Sequence, residues 1–291
     1  MINKTPVEGG FFTPSYKIDT NIFVLDQPWK DSFQKYFEDG TVRGIRVAHR
    51  PNSYGIHLDY LSTLPLLRSI EVYNNNAKDL EPMYYHKQLE QVGLYCPFKK
   101  LDFSRFPKLT HADITWRKGA ETILNCRNLE YFNTDKYPYE DISPLHNLQK
   151  LKTLMIQSRK LTRLEGIEKL QNLGKVGFSY CSLLSDLREI KKCKNLTTIV
   201  MLSCKKANDI SPFGSLTQLT VLDMENCDHV VSVKHLVNNS NLEKLLLVNM
   251  SVQDGDLTPL LSLNNLKVLA VARKRHHSHT SSEILKSIRN A

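Results

Sequence analysis

Cysteine and histidine are the side chains of this sequence with the widest chemistry, and their spacing decides what they could do. Cys181, Cys204 and Cys227 stand at even intervals of 23 residues. Thiols form a disulfide or hold a metal only where they converge in space. An even interval instead places equivalent residues in successive copies of one structural unit, about 5 Å apart where neighbouring strands stack. That is too wide for the Cβ separation of a disulfide, so a ladder of small, buried, structural thiols is expected. Cys193 has Lys191, Lys192 and Lys194 beside it, and positive neighbours could lower its pKa. As a lone cysteine on the outer side of a repeat it is expected to be inert. Cys96 and Cys126 lack a partner at a recognisable spacing. His276, His277 and His279 lie in a basic, serine-containing stretch and are expected to be solvated. There is no Gly-rich phosphate loop, no His-Glu-x-x-His helix and no Gly-x-Ser-x-Gly elbow. The expectation is a chain that is no enzyme and holds no metal or cofactor.

The unit that spaces these cysteines is legible between Leu151 and Val271. Leu151, Leu154 and Ile156 are followed by Leu173, Val176 and Phe178, by Leu196, Ile199 and Met201, and by Leu219, Leu222 and Met224. Leu242, Leu245 and Leu247 come next, then Leu266, Leu269 and Val271. The starts lie 22, 23, 23, 23 and 24 residues apart. A period in the twenties with this internal spacing is the leucine-rich repeat signature. One unit is too small to bury its own apolar face, so neighbours must stack. The expected fold class is α/β: a leucine-rich repeat solenoid with a parallel concave sheet and short helices or turns on the convex face.

Weaker repeats precede the clear ones. Val42, Ile45 and Val47 fit, as do Leu67, Ile70 and Val72, with Asn75 at the later inward position. Leu89, Val92 and Leu94, then Leu109, Ala112 and Ile114, and finally Leu129, Phe132 and Thr134 complete eleven expected strands. Residues 1–41 read as an N-terminal cap, with Trp29, Phe33 and Tyr36 or Phe37 on one face of a short helix. Residues 42–272 form the solenoid. Residues 273–291 are a basic tail or a capping helix with Ile284, Leu285 and Ile288 on one face. On the convex side, Asp141-Ile142-Ser143-Pro144-Leu145 recurs as Asp209-Ile210-Ser211-Pro212-Phe213 and Asp256-Leu257-Thr258-Pro259-Leu260. The Ser or Thr before Pro reads as a helix cap.

Side chains that alternate with the buried ones point out of the strands. These are Arg46, Glu71, Tyr73, Tyr95, Asp113, Thr115, Asn133, Asp135, Gln157, Ser179, Asp223 and Glu225, with Trp116, Tyr131 and Tyr180 at neighbouring positions. Aromatic anchors among polar groups are the composition of a protein-binding surface.

The net charge is +9, of which residues 273–291 carry five basic groups against Glu283 alone. A basic tail could assist nucleic-acid contact, but the body has no matching motif, and direct binding is expected to be at most a property of that tail. No apolar run reaches the length of a membrane span, and residues 1–10 lack the pattern of a signal peptide. Six cysteines in 291 residues suit a reducing, cytoplasmic location.

On these repeats the chain resembles bacterial cytoplasmic leucine-rich repeat proteins whose units are similar to internalin-type repeats. The closing stretch, Asp256-Leu257-Thr258-Pro259-Leu260-Leu261 through Arg273-Lys274-Arg275-His276-His277-Ser278-His279, is similar to the ends of such proteins. The resemblance implies a protein partner. Some bacterial repeat proteins of this kind act beside secreted toxins as immunity proteins, so the resemblance extends to a toxin as the partner.

Overall fold

The computed structural model describes residues 4–48, 57–77, 79–98 and 101–290, so the extreme ends of the expected cap and tail lie outside the described residues. The chain divides into two compact units, Met1–Asn133 and Thr134–Ala291.

In the first unit, β1 (Thr5–Val7), β2 (Gly10–Pro14) and β3 (Asn21–Leu25) form an antiparallel meander. β3 then pairs in parallel with β4 (Val42–Val47), followed by β5 (Ser69–Val72), β6 (Gln91–Leu94) and β7 (His111–Thr115). β8 (Tyr131–Asp135) is next in the sheet, and its last two residues belong to the second unit. The second unit runs through β9 (Thr153–Gln157), β10 (Lys175–Ser179), β11 (Thr198–Leu202) and β12 (Val221–Glu225). A short β13 (His229–Val230) leads to β14 (Lys244–Val248), β15 (Ser251–Val252) to β16 (Val268–Val271), and the chain closes in helix α1 (Ser281–Arg289). β9, β10, β11, β12, β14 and β16 pair in parallel and in that order, while β13 and β15 make a small parallel sheet of their own. The fold is the leucine-rich repeat solenoid expected from the spacing.

The eleven strands counted from Val42 all form, and β3 adds a twelfth parallel strand inside the stretch expected to be only a cap. Ile22, Phe23, Val24 and Leu25 are all buried. A strand covered on both faces loses the apolar-polar alternation by which an exposed strand is recognised. The aromatic helix is a 3-10 helix, Asp31–Phe37, with Phe33 and Phe37 buried and Trp29 stacked on Tyr60 at 4.4 Å between ring centroids.

The outer side of each repeat is also made of 3-10 helices. In the repeated Asp-x-Ser/Thr-Pro phrase the N-cap positions are Ile142, Ile210 and Leu257, and the side chain that supplies the capping bond is the aspartate one residue earlier. Asp141, Asp209 and Asp256 each accept the backbone N–H two residues on, at 3.1, 2.9 and 3.0 Å. The expected Ser or Thr is instead the first helical residue, since a short acidic side chain reaches its own chain's N–H more readily in such a turn.

The expected thiol ladder is present and belongs to the second unit. Cys181, Cys204 and Cys227 are fully buried and unpaired. Each thiol donates to a strand carbonyl one repeat back: Ile156 at 3.7 Å, Phe178 at 3.3 Å and Met201 at 3.6 Å. The same inward position holds Tyr137 and Met250, also buried. In the first unit, and in the Leu151 repeat of the second, the inward residue comes one place earlier: Asn74, Cys96, Trp116 and Ser158 are buried there, while Asn75, expected to turn inward, is exposed. The difference is a backbone step. Lys136, Tyr180, Ser203, Asn226 and Asn249 all have φ between 53° and 57°, in the left-handed region that costs an ordinary residue about 1–2 kcal/mol. Tyr180 and Ser203 each send the reoriented N–H to the next strand, at 2.7 Å to the Leu202 carbonyl and 2.8 Å to that of Glu225. This extra residue delays the inward turn by one.

A second ladder lies three residues before each repeat start from Leu67 onward, at the ends of the 3-10 helices. It comprises Leu64, His86, Phe106, Cys126, Leu148, Leu170, Cys193, Leu216, Asn239 and Leu263, and every member is buried. Three of its polar members bond the preceding repeat: Cys126 to the Phe103 carbonyl at 3.5 Å, Cys193 to that of Ile167 at 3.5 Å and Asn239 to that of Phe213 at 3.1 Å. Cys193 is therefore a core residue. Burial pushes its thiol up to about 12, against the lowering that adjacent lysines suggested, and Cys96 and Cys126 are raised to about 11 and 12 for the same reason.

Helix α1 packs on β16 and on the 3-10 helix Thr258–Ser262. It opens with a Thr280–Glu283 capping box and buries Ile284. His276 and His277 are held rather than free: the His276 ring meets the Val252 carbonyl at 3.0 Å, and His277 accepts the Val252 N–H at 3.4 Å.

Candidate functional site

The outward face of the first unit's sheet carries a set of polar residues and three tyrosines, while the strand residues Phe23 and Phe132 lie in the core. Parallel pairing in register sets them in rows. One row runs Arg46, Glu71, Gly93 and Asp113 across β4 to β7; the row beside it runs Gly44, Ser69, Gln91 and His111. Asn133 and Tyr131 extend them on β8. Tyr73 and Tyr95 follow β5 and β6, with their rings 5.3 Å apart.

Glu71 is the pivot of the first half. It accepts from Arg46 Nε and Gln91 Nε2, both at 2.7 Å. Charge-assisted bonds of this length offset the desolvation that a side chain only 2% exposed otherwise suffers. Burial opposes the Arg46 charge, but pairing with Glu71 outweighs it and raises the guanidinium pKa. Gly93 makes the cluster possible, because a Cβ there would stand 3.0 Å from both the Tyr73 hydroxyl and Glu71 Cγ. Burial, with the Glu71 carboxylate beside it, drives the Tyr73 hydroxyl strongly toward its neutral form.

Asp113 is the pivot of the second half. Its Oδ1 accepts a short hydrogen bond from the Tyr95 hydroxyl and another from Asn133 Nδ2 at 2.8 Å. Its Oδ2 faces Lys17 Nζ at 3.3 Å. That ammonium also lies 4.4 Å from the centre of the Tyr131 ring, which is within cation–π range. Tyr131 in turn stacks against His111 at 5.9 Å. Burial, with a contribution from Asp113, pushes the Tyr131 hydroxyl up to about 12.

Arg46, Glu71, Tyr73, Tyr95, Asp113, Tyr131 and Asn133 are thus brought together as expected. Thr115 and Trp116 are not on this surface. They are 5% and 6% exposed, because Trp116 occupies the inward ladder position of its repeat and Thr115 is covered as the chain turns there. Glu71 faces outward but is enclosed by its partners, so it is a supporting group and not an exposed contact. Gln91, His111, Ser15 and Lys17 were not anticipated. Gln91 and His111 follow from the same alternation, two residues before Gly93 and Asp113. Ser15 and Lys17 carry no such signal, since only the β2–β3 connection brings them over the sheet.

The outward face of the second unit has a different character. Register aligns Met155, Gly177, Val200, Asp223, Leu246 and Ala270 in one row. Gln157 and Glu225 are exposed, and Asp223 sits 3.9 Å from Lys244. Asp135 is half-buried, and Tyr180 is half exposed on its left-handed backbone. Val200, Leu202, Leu246 and Val248, all partly accessible, make this face more apolar than the expected residues suggested.

Among the described residues no group of three or more His, Cys, Asp or Glu could hold a metal ion, and no helix is long and apolar enough to cross a membrane. No protein-family model and no curated protein matches the chain. Solved structures share its fold. An internalin, InlF, of Listeria monocytogenes is 19% identical, with a TM-score of 0.58 over 80% of this chain and 73% of that one. The functional domain of InlJ from the same organism, which includes a cysteine ladder, is 19% identical, with a TM-score of 0.55 over 79% of this chain and 48% of that one. A leucine-rich repeat protein of Leptospira interrogans is 12% identical, with a TM-score of 0.51 over 90% of this chain and 81% of that one.

Proposed function

We propose that this chain is a protein-binding repeat scaffold whose recognition surface is the outward face of β4 to β8. One observation carries this: the tyrosines at 73, 95 and 131 surround Asp113 and the Arg46–Glu71 pair on adjacent, hydrogen-bonded strands. Large aromatic rings held rigidly beside pre-oriented charges lose little conformational freedom on association and provide anchors of the kind that dominate protein interfaces. Cys181, Cys204 and Cys227 have a structural part in this proposal, as small buried donors that tie one repeat to the last. Six unpaired thiols support a reducing, cytoplasmic setting.

The test is affinity capture from the native cell with the full chain, comparing wild type with Tyr131→Ala and Asp113→Ser. Loss of one partner from both variants, with cooperative melting preserved, is the expected result. Equal recovery of every partner would reject this face. The toxin-neutralising form of the proposal rests on the resemblance of the sequence, and Asp113 on this face is complementary to a basic partner. Its test is co-expression with any toxic protein found to be encoded beside this gene: growth is rescued by wild type and not by Asp113→Ser, whereas no rescue confines the chain to scaffolding. For the basic tail, the packing of α1 on β16 favours capping over nucleic-acid contact. Heparin retention that survives removal of residues 273–291 would exclude the tail as a nucleic-acid site.

A further inference from the structure

The connection between β2 and β3, residues 15–20, lies over the recognition face. It is internally ordered: Ser15 N–H bonds the Thr20 carbonyl at 2.9 Å, and the Ser15 hydroxyl accepts the N–H groups of Lys17 and Ile18 at 3.2 and 3.3 Å. The Thr20 hydroxyl accepts the Arg43 N–H of β4 at 3.1 Å, and three further contacts seat the segment on residues farther away in sequence. The Ser15 hydroxyl donates to Gln91 Oε1 at 3.1 Å, the Asp19 carbonyl accepts from Arg68 at 3.2 Å, and Lys17 enters the Asp113–Tyr131 corner. Most of the Lys17 side chain is covered, at 24% exposure, and Asp113 is covered further, at 14%. Tyr16 beside it is 76% exposed, so the loop turns its lysine into the sheet and its aromatic ring outward.

An ammonium between a carboxylate and a tyrosine ring is a recognition arrangement in its own right. The carboxylate is fixed from its other side by Tyr95 and Asn133, so it is held for a cation whether or not Lys17 is there. We infer that the Asp113–Tyr131 corner is a lysine-ammonium site, that Lys17 occupies it as an internal stand-in, and that the partner presents a lysine of its own which takes this place as residues 15–20 lift away. The inference rests on the recognition face proposed above and names the chemistry of its ligand. The contacts that hold the loop are one ion pair, one cation–π contact and a few polar bonds at a partly wetted surface, which are individually weak. A ligand that must displace them binds more weakly by the fraction of time the site stands open.

The probe is the blocked tripeptide Gly-Lys-Gly, with its Nε-acetylated form as the control, titrated into the full chain and followed by the tyrosine ring resonances. Lys17→Met keeps most of the covered stem and removes the charge. It is expected to bind the lysine peptide about tenfold more tightly than wild type, to ignore the acetylated peptide, and to lose binding when Asp113→Asn is added. Equal affinity of wild type and Lys17→Met, or binding that survives Asp113→Asn, overturns the inference. So does a Lys17→Met chain that no longer melts cooperatively, because a loop that cannot be released without unfolding cannot yield to a partner. Capture from the native cell separates the two proposals. A partner retained equally by wild type and Lys17→Met leaves the recognition face standing and defeats the stand-in. Peptide binding without any captured partner leaves the ammonium site standing and defeats the scaffold.

Discussion

Acid should destabilise the first unit through one residue, His86. It lies at the end of the 3-10 helix Glu81–Tyr85, 1% exposed, in the ladder between Leu64 and Phe106. Neither ring nitrogen has a hydrogen bond of ordinary geometry. Burial pushes its pKa down to about 4, countered only in part by the Leu61 carbonyl. The unfolded chain, with an ordinary histidine, therefore binds the proton first as pH falls, and stability decreases with it. The contribution is intact above about pH 6.5 and is lost progressively down to about pH 4. Each pKa unit is worth about 1.4 kcal/mol, so the full loss is about 3 kcal/mol, of which about 2 kcal/mol is gone by pH 5. The assay is urea unfolding at pH 8 and pH 5, reading the free energy from midpoint and slope. His277 is lowered by burial as well, so the His86 share must be isolated by a variant. His86→Leu places in the ladder the residue that it already holds at 64, 148 and 170. It should match or exceed wild-type stability at pH 8, since two unpaired buried nitrogens are removed, and it should lack the acid-dependent loss. Parallel pH profiles for wild type and His86→Leu would refute the reasoning.

Tyr180→Asn should raise stability by about 1 kcal/mol, because asparagine tolerates the left-handed backbone that tyrosine holds at φ 53°; a lower melting temperature would mean that the exposed ring packs. All six thiols should resist a colourless-to-yellow disulfide reagent in the folded chain and react together on unfolding. Rapid labelling of Cys193 in native protein would contradict its place in the core. Gly93→Ala should cost about 1–3 kcal/mol and shift the Tyr73 ring signals, as the new methyl meets the Tyr73 hydroxyl and Glu71; an unchanged Tyr73 spectrum would show that the cluster does not depend on that gap.

Repeat spacing, strand positions and the cysteine ladder were legible in the sequence because each depends on local alternation and on an interval of about 23 residues. Both survive whatever the rest of the chain does. The same arithmetic placed Arg46, Tyr95, Asp113 and Asn133 on one face, since residues two apart on a strand share a side. Trp116 defeated it. Whether the inward turn falls seven or eight residues after the repeat start depends on one left-handed residue, present at Tyr180 and Ser203. Tyrosine and serine give no local sign of that conformation, which is held by the N–H it sends to the next strand. His86 and Cys193 were misplaced or missed for a related reason. A polar or reactive side chain reads as surface until the stacked repeat covers it and supplies its carbonyl. Lys17 was beyond local inference altogether. Its partner Asp113 is 96 residues away, and only the antiparallel β2–β3 turn, folding back over parallel strands it never joins in sequence, sets an ammonium against that carboxylate.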